Sequence, residues 1–292
     1  MIRIVLSSVR GFCSGVRRAV AMALEESEHA ANGVFILHDL VHNDSVVRNL
    51  KSRGVTIVDS PAGLPEGSTL IFSAHGVGDA LEREARSLPL TVKDATCPLV
   101  KRVHGLAADR HREGRFILLA GKRGHCETEG ILGRVPPGCA RLLETAEEAT
   151  AFVPDPKLRY VLLSQTTFLT SGFEKIAEIL KSRIPDLLIE RTICPATSDR
   201  QTAVRRLASA CGAVAVVGSP ESSNSRRLCE SARAAGAAAY LMSESSPVPG
   251  ELRSFSGTLG LISGASASEE EVRNVLEHLL ELPGAEFAGE FK

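Results

Sequence analysis

A formal net charge of −1 over 292 residues, from 34 basic and 35 acidic side chains, gives this chain no electrostatic footprint for nucleic acid or a membrane surface. Seven scattered cysteines, an odd number, argue against a disulfide framework and for a reduced compartment, while the absence of Trp leaves little for base stacking. No apolar run spans a bilayer and Met1–Leu6 reads as a strand rather than a signal peptide, so a cytoplasmic protein of two or three compact units is expected.

Short β-branched runs alternate with amphipathic stretches along the chain, the pattern of α/β architecture with mainly parallel sheets. A strand over 2–7 leads to Gly11-Phe12-Cys13-Ser14-Gly15-Val16 and a helix over 16–31. A strand over 34–37 precedes Val41-His42-Asn43, and one over 69–72 precedes Ser73-Ala74-His75-Gly76-Val77 and a helix over 79–87. Asp94-Ala95-Thr96-Cys97-Pro98 opens a helix over 100–112. A strand over 116–120 runs into the Gly-rich turn Gly124-His125-Cys126-Glu127, and one over 160–163 into Ser164-Gln165-Thr166-Thr167, with a helix over 173–183. Thr192-Ile193-Cys194-Pro195 precedes a helix over 202–209. A strand over 213–217 leads to Ser222-Ser223-Asn224-Ser225 and a helix over 225–235. The last strand, 258–262, leads to Ser263-Gly264-Ala265-Ser266 and a helix over 269–281.

Cys13, Cys97 and Cys194 share one frame, with an extended apolar stretch before each and a helical run after it. Pro follows two of them directly, where a first helical turn tolerates its missing N–H. A helix N-terminus favours the thiolate, so three such residues suit a soft metal site with one position open. Their even spacing divides the chain into segments of about 90 residues, each the size of a small domain. The expected domains are 10–97, 98–193, and 194–281 joined by strand 1–9, with 282–292 as a C-terminal tail. Three cysteine ligands permit catalytic zinc or a [4Fe–4S] cluster with one iron lacking a cysteine. The close cysteine pair usual for zinc is missing here, which leans toward the cluster. Outside the frame, Cys211 and Cys229 read as small buried hydrophobes.

Ligands of open α/β sheets bind beyond the carboxyl ends of the strands. His42, His75, His125, Thr166, Ser222, Ser223, Asn224 and Ser266 stand there, and their imidazoles, hydroxyls and amide suit a phosphate-bearing ligand. Taken singly, each has a plainer role: a hydrogen-bonded structural histidine, or a helix cap at Ser222 or Ser266. Recurrence at six strand ends favours a site. Neither a P-loop nor a Gly-x-Gly-x-x-Gly fingerprint occurs. Glu127 is the candidate acid, since a carboxyl in a closed apolar pocket holds a proton near neutral pH, whereas a solvated loop carboxylate would not. His29, His104, His111 and His278 fall within helices and read as solvated or packing residues.

These stretches, together with Arg200-Gln201, run in order over essentially the whole chain. In them the sequence resembles the 4-hydroxy-3-methylbut-2-enyl diphosphate reductase family, which closes the methylerythritol phosphate route to isoprenoids. The resemblance implies three related α/β domains in a pseudo-threefold trefoil around a [4Fe–4S] cluster on Cys13, Cys97 and Cys194. It implies that His42, His75, His125, Ser222, Ser223, Asn224 and Ser266 hold the substrate's diphosphate. Thr166 would lie near the substrate hydroxyl, and Glu127 would donate the proton. Reductive dehydroxylation would then give isopentenyl and dimethylallyl diphosphates, with ferredoxin or flavodoxin as electron donor and neither nucleic acid nor membrane as partner. The rival readings are a zinc-dependent diphosphate hydrolase with Glu127 as base, and a non-catalytic iron–sulfur sensor of a diphosphate. Two positions depart from the family pattern: Cys126 stands where Pro is usual, and Ile262-Ser263 where Thr-Ala is usual.

Overall fold

Every strand pairing in the molecule is parallel, as short apolar strands separated by helices require. The computed structural model describes all residues, Met1 to Lys292. In chain order the elements are β1 (Ile2–Ser7), α1 (Ser14–His29), β2 (Val34–Leu37), α2 (Asp44–Ser52), β3 (Thr56–Val58), β4 (Thr69–Phe72), α3 (Asp79–Ser87) and β5 (Thr91–Asp94). They continue with α4 (Pro98–Arg112), β6 (Arg115–Ala120), α5 (Cys126–Leu132), β7 (Ala140–Leu143), α6 (Ala146–Ala151), β8 (Arg159–Ser164), α7 (Thr170–Arg183) and β9 (Leu188–Ile189). The last are α8 (Pro195–Ala210), β10 (Ala213–Val217), α9 (Ser223–Ala234), β11 (Ala238–Met242), α10 (Gly250–Arg253), β12 (Gly257–Ser263), α11 (Glu269–Leu280) and β13 (Ala285–Phe291). The fold is α/β with three parallel sheets.

The chain divides into two compact units. The first comprises Met1–Ser14, His42–Asp44 and Pro195–Lys292, and holds a five-stranded sheet in the order β11-β10-β12-β1-β13. Side chains alternate across a strand, so β10 feeds two cores. Ala213, Ala215 and Val217 pack with Val272, Val275 and Leu279 of α11, while Val214 and Val216 pack with Leu207 of α8 and Leu228 of α9. Helices thus cover both faces, which is why the central strands read as unbroken apolar runs.

The second unit comprises Gly15–Val41 and Ser45–Cys194 and holds two four-stranded sheets, β3-β2-β4-β5 and β7-β6-β8-β9. The boundary expected at 97/98 therefore separates two sheets of one unit. In the second sheet, Leu118 and Leu162 face Phe173 and Ile176 of α7, while Ile117 and Leu163 face Val103 of α4 and Ile131 of α5.

The central strands and most long helices lie where the periodicity predicts them, within a few residues, but α8 begins at Pro195, seven residues before the helix expected over 202–209. Six strands escape that reading: β3, β5, β7, β9, β11 and β13. Each is an outer strand of its sheet. β3 and β9 are only three and two residues long, while β5 and β13 carry polar or small residues, as in Thr91-Val92-Lys93-Asp94, and so lack an apolar run. Residues 282–292 are accordingly not a tail, because β13 pairs with β1. Its register shifts between Ile4 and Val5, opposite Gly289, whose φ of 108° suits glycine. The expected turn at Glu127 is also corrected: Cys126 and Glu127 form the first turn of α5. No helix is long and apolar enough to cross a membrane.

Candidate active site

Three loops built alike carry Cys13, Cys97 and Cys194. Each cysteine immediately precedes a helix: α1, α4 and α8. Each backbone N–H donates a 3.0 Å hydrogen bond, to the carbonyl of Ala265, Ala74 and Thr166 respectively. Each acceptor lies two residues past the carboxyl end of a strand: β12, β4 and β8. That strand is, every time, the parallel neighbour of the strand preceding the cysteine, namely β1, β5 and β9. The repeat in the sequence is thus a repeat of hydrogen bonding at strand ends. None of the seven cysteines forms a disulfide; Cys211 and Cys229 are buried, whereas these three are part-exposed.

In the first unit, Cys13 sits in a pinned loop. Gly11 adopts φ 72°, and its N–H donates to Ser263 Oγ at 2.9 Å. Arg200, buried on α8, donates to the Gly11 carbonyl at 2.6 Å. Ser263 is therefore a structural partner of the cysteine loop.

The same unit gathers His42, Ser222 and Ser266. Ser266 Oγ donates to the His42 carbonyl at 3.1 Å and lies 3.4 Å from Ser222 Oγ. Asn43 locks this arrangement through Nδ2, which donates to the Ser266 carbonyl at 2.6 Å and to the Glu271 carboxylate. Ser222 caps α9, and Ser223 and Asn224 form its first turn, all buried. Both amide atoms of Asn224 and the Ser225 hydroxyl are buried without a hydrogen-bond partner. Ser225 is wedged between Gly218 and Gly264, since a Cβ on either would strike its Oγ. Unpartnered donors at a helix N-terminus are the chemistry an anionic ligand satisfies.

The second unit holds the candidate acid. Glu127 is 1% exposed on α5, and its Oε1 accepts the Thr166 N–H at 2.6 Å. Burial pushes its carboxyl up to about 7, although hydrogen bonds from Thr166 and Gln165 hold it down in part. A carboxyl in that range is part-protonated near neutrality. Thr166 bridges two groups through one residue, its N–H to Glu127 and its carbonyl to the Cys194 N–H. His125 caps α5, with Nδ1 accepting the Glu127 N–H at 3.1 Å. A neutral ring in that tautomer carries its proton on Nε2, which makes Nε2 a donor. The rings of His75 and His125 meet edge to face at 5.4 Å. Cys126 lies beside them, its thiol pushed up to about 12 by burial and by the nearby Glu127 carboxylate.

Sequence reading overlooked the residues that hold these loops. Arg134, just past α5, donates to His104 Nδ1 at 3.0 Å, to Asp79 at 2.6 Å and to the Val77 carbonyl at 2.6 Å. One guanidinium thereby ties the loop of His75 to the helix that Cys97 caps and to the helix of Glu127. His104 is a buried packing residue whose basicity falls to about 4, by burial and then by Arg134. Gly76 abuts its ring so closely that a Cβ would lie 2.7 Å from it. Only the glycine signals of the motifs hinted at this packing.

Comparison with known proteins adds an independent line. The LytB protein family profile matches residues 4–280. The chain is 39% identical over 283 residues to 4-hydroxy-3-methylbut-2-enyl diphosphate reductase of Nitrosomonas europaea, covering 96% of this chain and 88% of that protein. It is 40% identical over 292 residues to the enzyme of that name from Sodalis glossinidius, covering 99% and 92%. Among solved structures, it resembles the E-1-hydroxy-2-methyl-but-2-enyl-4-diphosphate reductase from Plasmodium falciparum with a TM-score of 0.92 and 28% identity, over 98% of this chain and 92% of that one. A structure of (E)-4-hydroxy-3-methyl-but-2-enyl diphosphate reductase, described as the terminal enzyme of the non-mevalonate pathway, matches with a TM-score of 0.66 and 30% identity, over 96% and 100%.

Proposed function

The chain belongs to the LytB family of 4-hydroxy-3-methylbut-2-enyl diphosphate reductases, and on that premise we propose that it removes the allylic hydroxyl of its substrate by iron–sulfur-dependent reduction. Family membership sets aside the hydrolase and the non-catalytic sensor. The observation that carries the cofactor is the threefold cysteine arrangement. Cys13, Cys97 and Cys194 are held by the same backbone hydrogen bond at the start of a helix, outside any disulfide. Such a donor set fits a [4Fe–4S] cluster with three thiolate ligands and one iron free of cysteine. When bound, that cluster supplies single electrons and a Lewis-acidic iron for the substrate oxygen.

The chain's own residues supply the rest. His42, His75, His125, Ser222, Ser223, Asn224 and Ser266 take the diphosphate oxygens, and the unpartnered amide of Asn224 supports that role. Thr166 lies by the hydroxyl, and buried Glu127 gives the proton with which it leaves as water. The balance is two electrons and two protons. One proton departs in water and the other joins either end of the allylic carbon skeleton, which yields isopentenyl or dimethylallyl diphosphate. A ferredoxin or flavodoxin delivers the electrons singly.

Anaerobically purified protein should be brown, contain iron and sulfide, and turn over the hydroxylated diphosphate with a reduced dye. Mössbauer spectra should show one iron changing on substrate addition. A colourless zinc protein without iron or sulfide would overturn the reading.

A further inference from the structure

One donor in the first turn of α5 has no part in this chemistry. Cys126 lines a cavity of about 440 Å³, together with His38, Val77, Leu81 and glycine backbone. Its Sγ lies 3.9 Å from His125 Nδ1. That sulfur, a ring nitrogen of His75 and one of His125 all lie within 4.8 Å of one another. Zinc–sulfur bonds near 2.3 Å and zinc–nitrogen bonds near 2.0–2.1 Å place tetrahedral sulfur–nitrogen edges at about 3.6 Å. The Cys126–His125 edge is already close to that value, and the third donor needs a shift of about an ångström. Two imidazoles with one thiol select a borderline-soft ion over magnesium or calcium.

We infer that His75, His125 and Cys126 form a second metal site, for zinc or a similar borderline-soft divalent cation. Because Cys126 lines that cavity, an ion can approach the residue from it. Binding displaces the thiol proton of Cys126 and releases His125 Nδ1 from its cap bond to the Glu127 N–H, one hydrogen bond set against three metal bonds. Its consequence rests on the proposed function: zinc would occupy two histidines assigned to the diphosphate and so compete with substrate. The binding itself does not depend on that assignment.

The test uses full-length, cluster-loaded protein, with iron and sulfide counted beforehand so that the other thiolates are accounted for. Bound zinc is measured by anaerobic dialysis against metal-buffered Zn²⁺, for wild type and Cys126→Ser. Wild type should take one equivalent, and the variant should bind at least about tenfold more weakly, since losing even a ligand's supporting partner costs that much. Cobalt(II) difference spectra should show a thiolate-to-cobalt charge-transfer band in wild type alone. Without zinc, Cys126→Ser should turn over like wild type. Equal zinc affinity in the two proteins, or a cobalt spectrum lacking the thiolate band, overturns the site. Cys126-dependent binding that leaves KM unchanged upholds the site and instead removes His75 and His125 from the diphosphate contacts.

Discussion

The polar clusters of the two units are finished to different degrees. Around Glu127 the bonds are closed: its carboxyl meets the Thr166 N–H, its own N–H meets His125, and Thr166 passes the chain of contacts to Cys194. Around Asn224 they are open, with an amide and a neighbouring hydroxyl buried and unpartnered. A proton donor, the role proposed for Glu127, works best when its position and proton affinity are set before substrate arrives. An anion-binding cluster, the role proposed around Asn224, keeps donors in reserve, which costs stability until the ligand comes.

The sharpest breaks in that contrast come from the side whose bonds are closed. Cys97→Ser should deplete iron and abolish turnover; normal iron content with full activity would remove it from the ligand set. Glu127→Gln should keep the cluster and bind substrate while kcat falls about 10²–10⁴-fold, the usual span for a lost general acid. In the wild type, a rate limited by this proton should decline as pH rises through about 7. The sign for stability is the same. A carboxyl raised from 4.5 to about 7 on folding favours the native state fully below 4.5, and that contribution is lost as pH climbs toward 7. Thermal melts of Glu127→Gln across this window should lack that slope.

On the open side the signs should divide. Asn224→Ala should raise KM about tenfold or more through lost ligand hydrogen bonds, and stabilise the ligand-free protein by about 1 kcal/mol by deleting an unsatisfied group. A melting point that falls along with affinity would show Asn224 to be structural. Gly264→Ala, which drives a methyl into Ser225, should cost about 1–3 kcal/mol and disorder the α9 cap. The smallest effect is expected at Ser263→Ala. It strips the Gly11 N–H of its acceptor, costs about 1–2 kcal/mol and speeds iron loss under chelator challenge without changing KM.

The fold was readable where burial is two-sided. β10 is apolar throughout because helices cover both faces, and such a run is local information. β5 and β13 were unreadable because an outer strand is defined by the neighbour it pairs with, which sequence does not name. The cysteine frames were equally plain, each a strand end, a thiol and a helix start. The site's tuning was not. Asn43 finds Glu271 more than two hundred residues away, and Arg134 reaches His104 from the turn after another helix.

Sequence alone therefore determined the alternation of strand and helix, the three repeated thiols, and the polar residues at strand ends, because each is written in a few adjacent side chains. Tertiary structure decided the outer strands, the single N–H···O=C bond common to all three cysteine loops, and the proton held on Glu127. Hydrogen-bond partners and local dielectric are properties of what folding brings near, and desolvation acts on a carboxyl only after distant segments have closed over it.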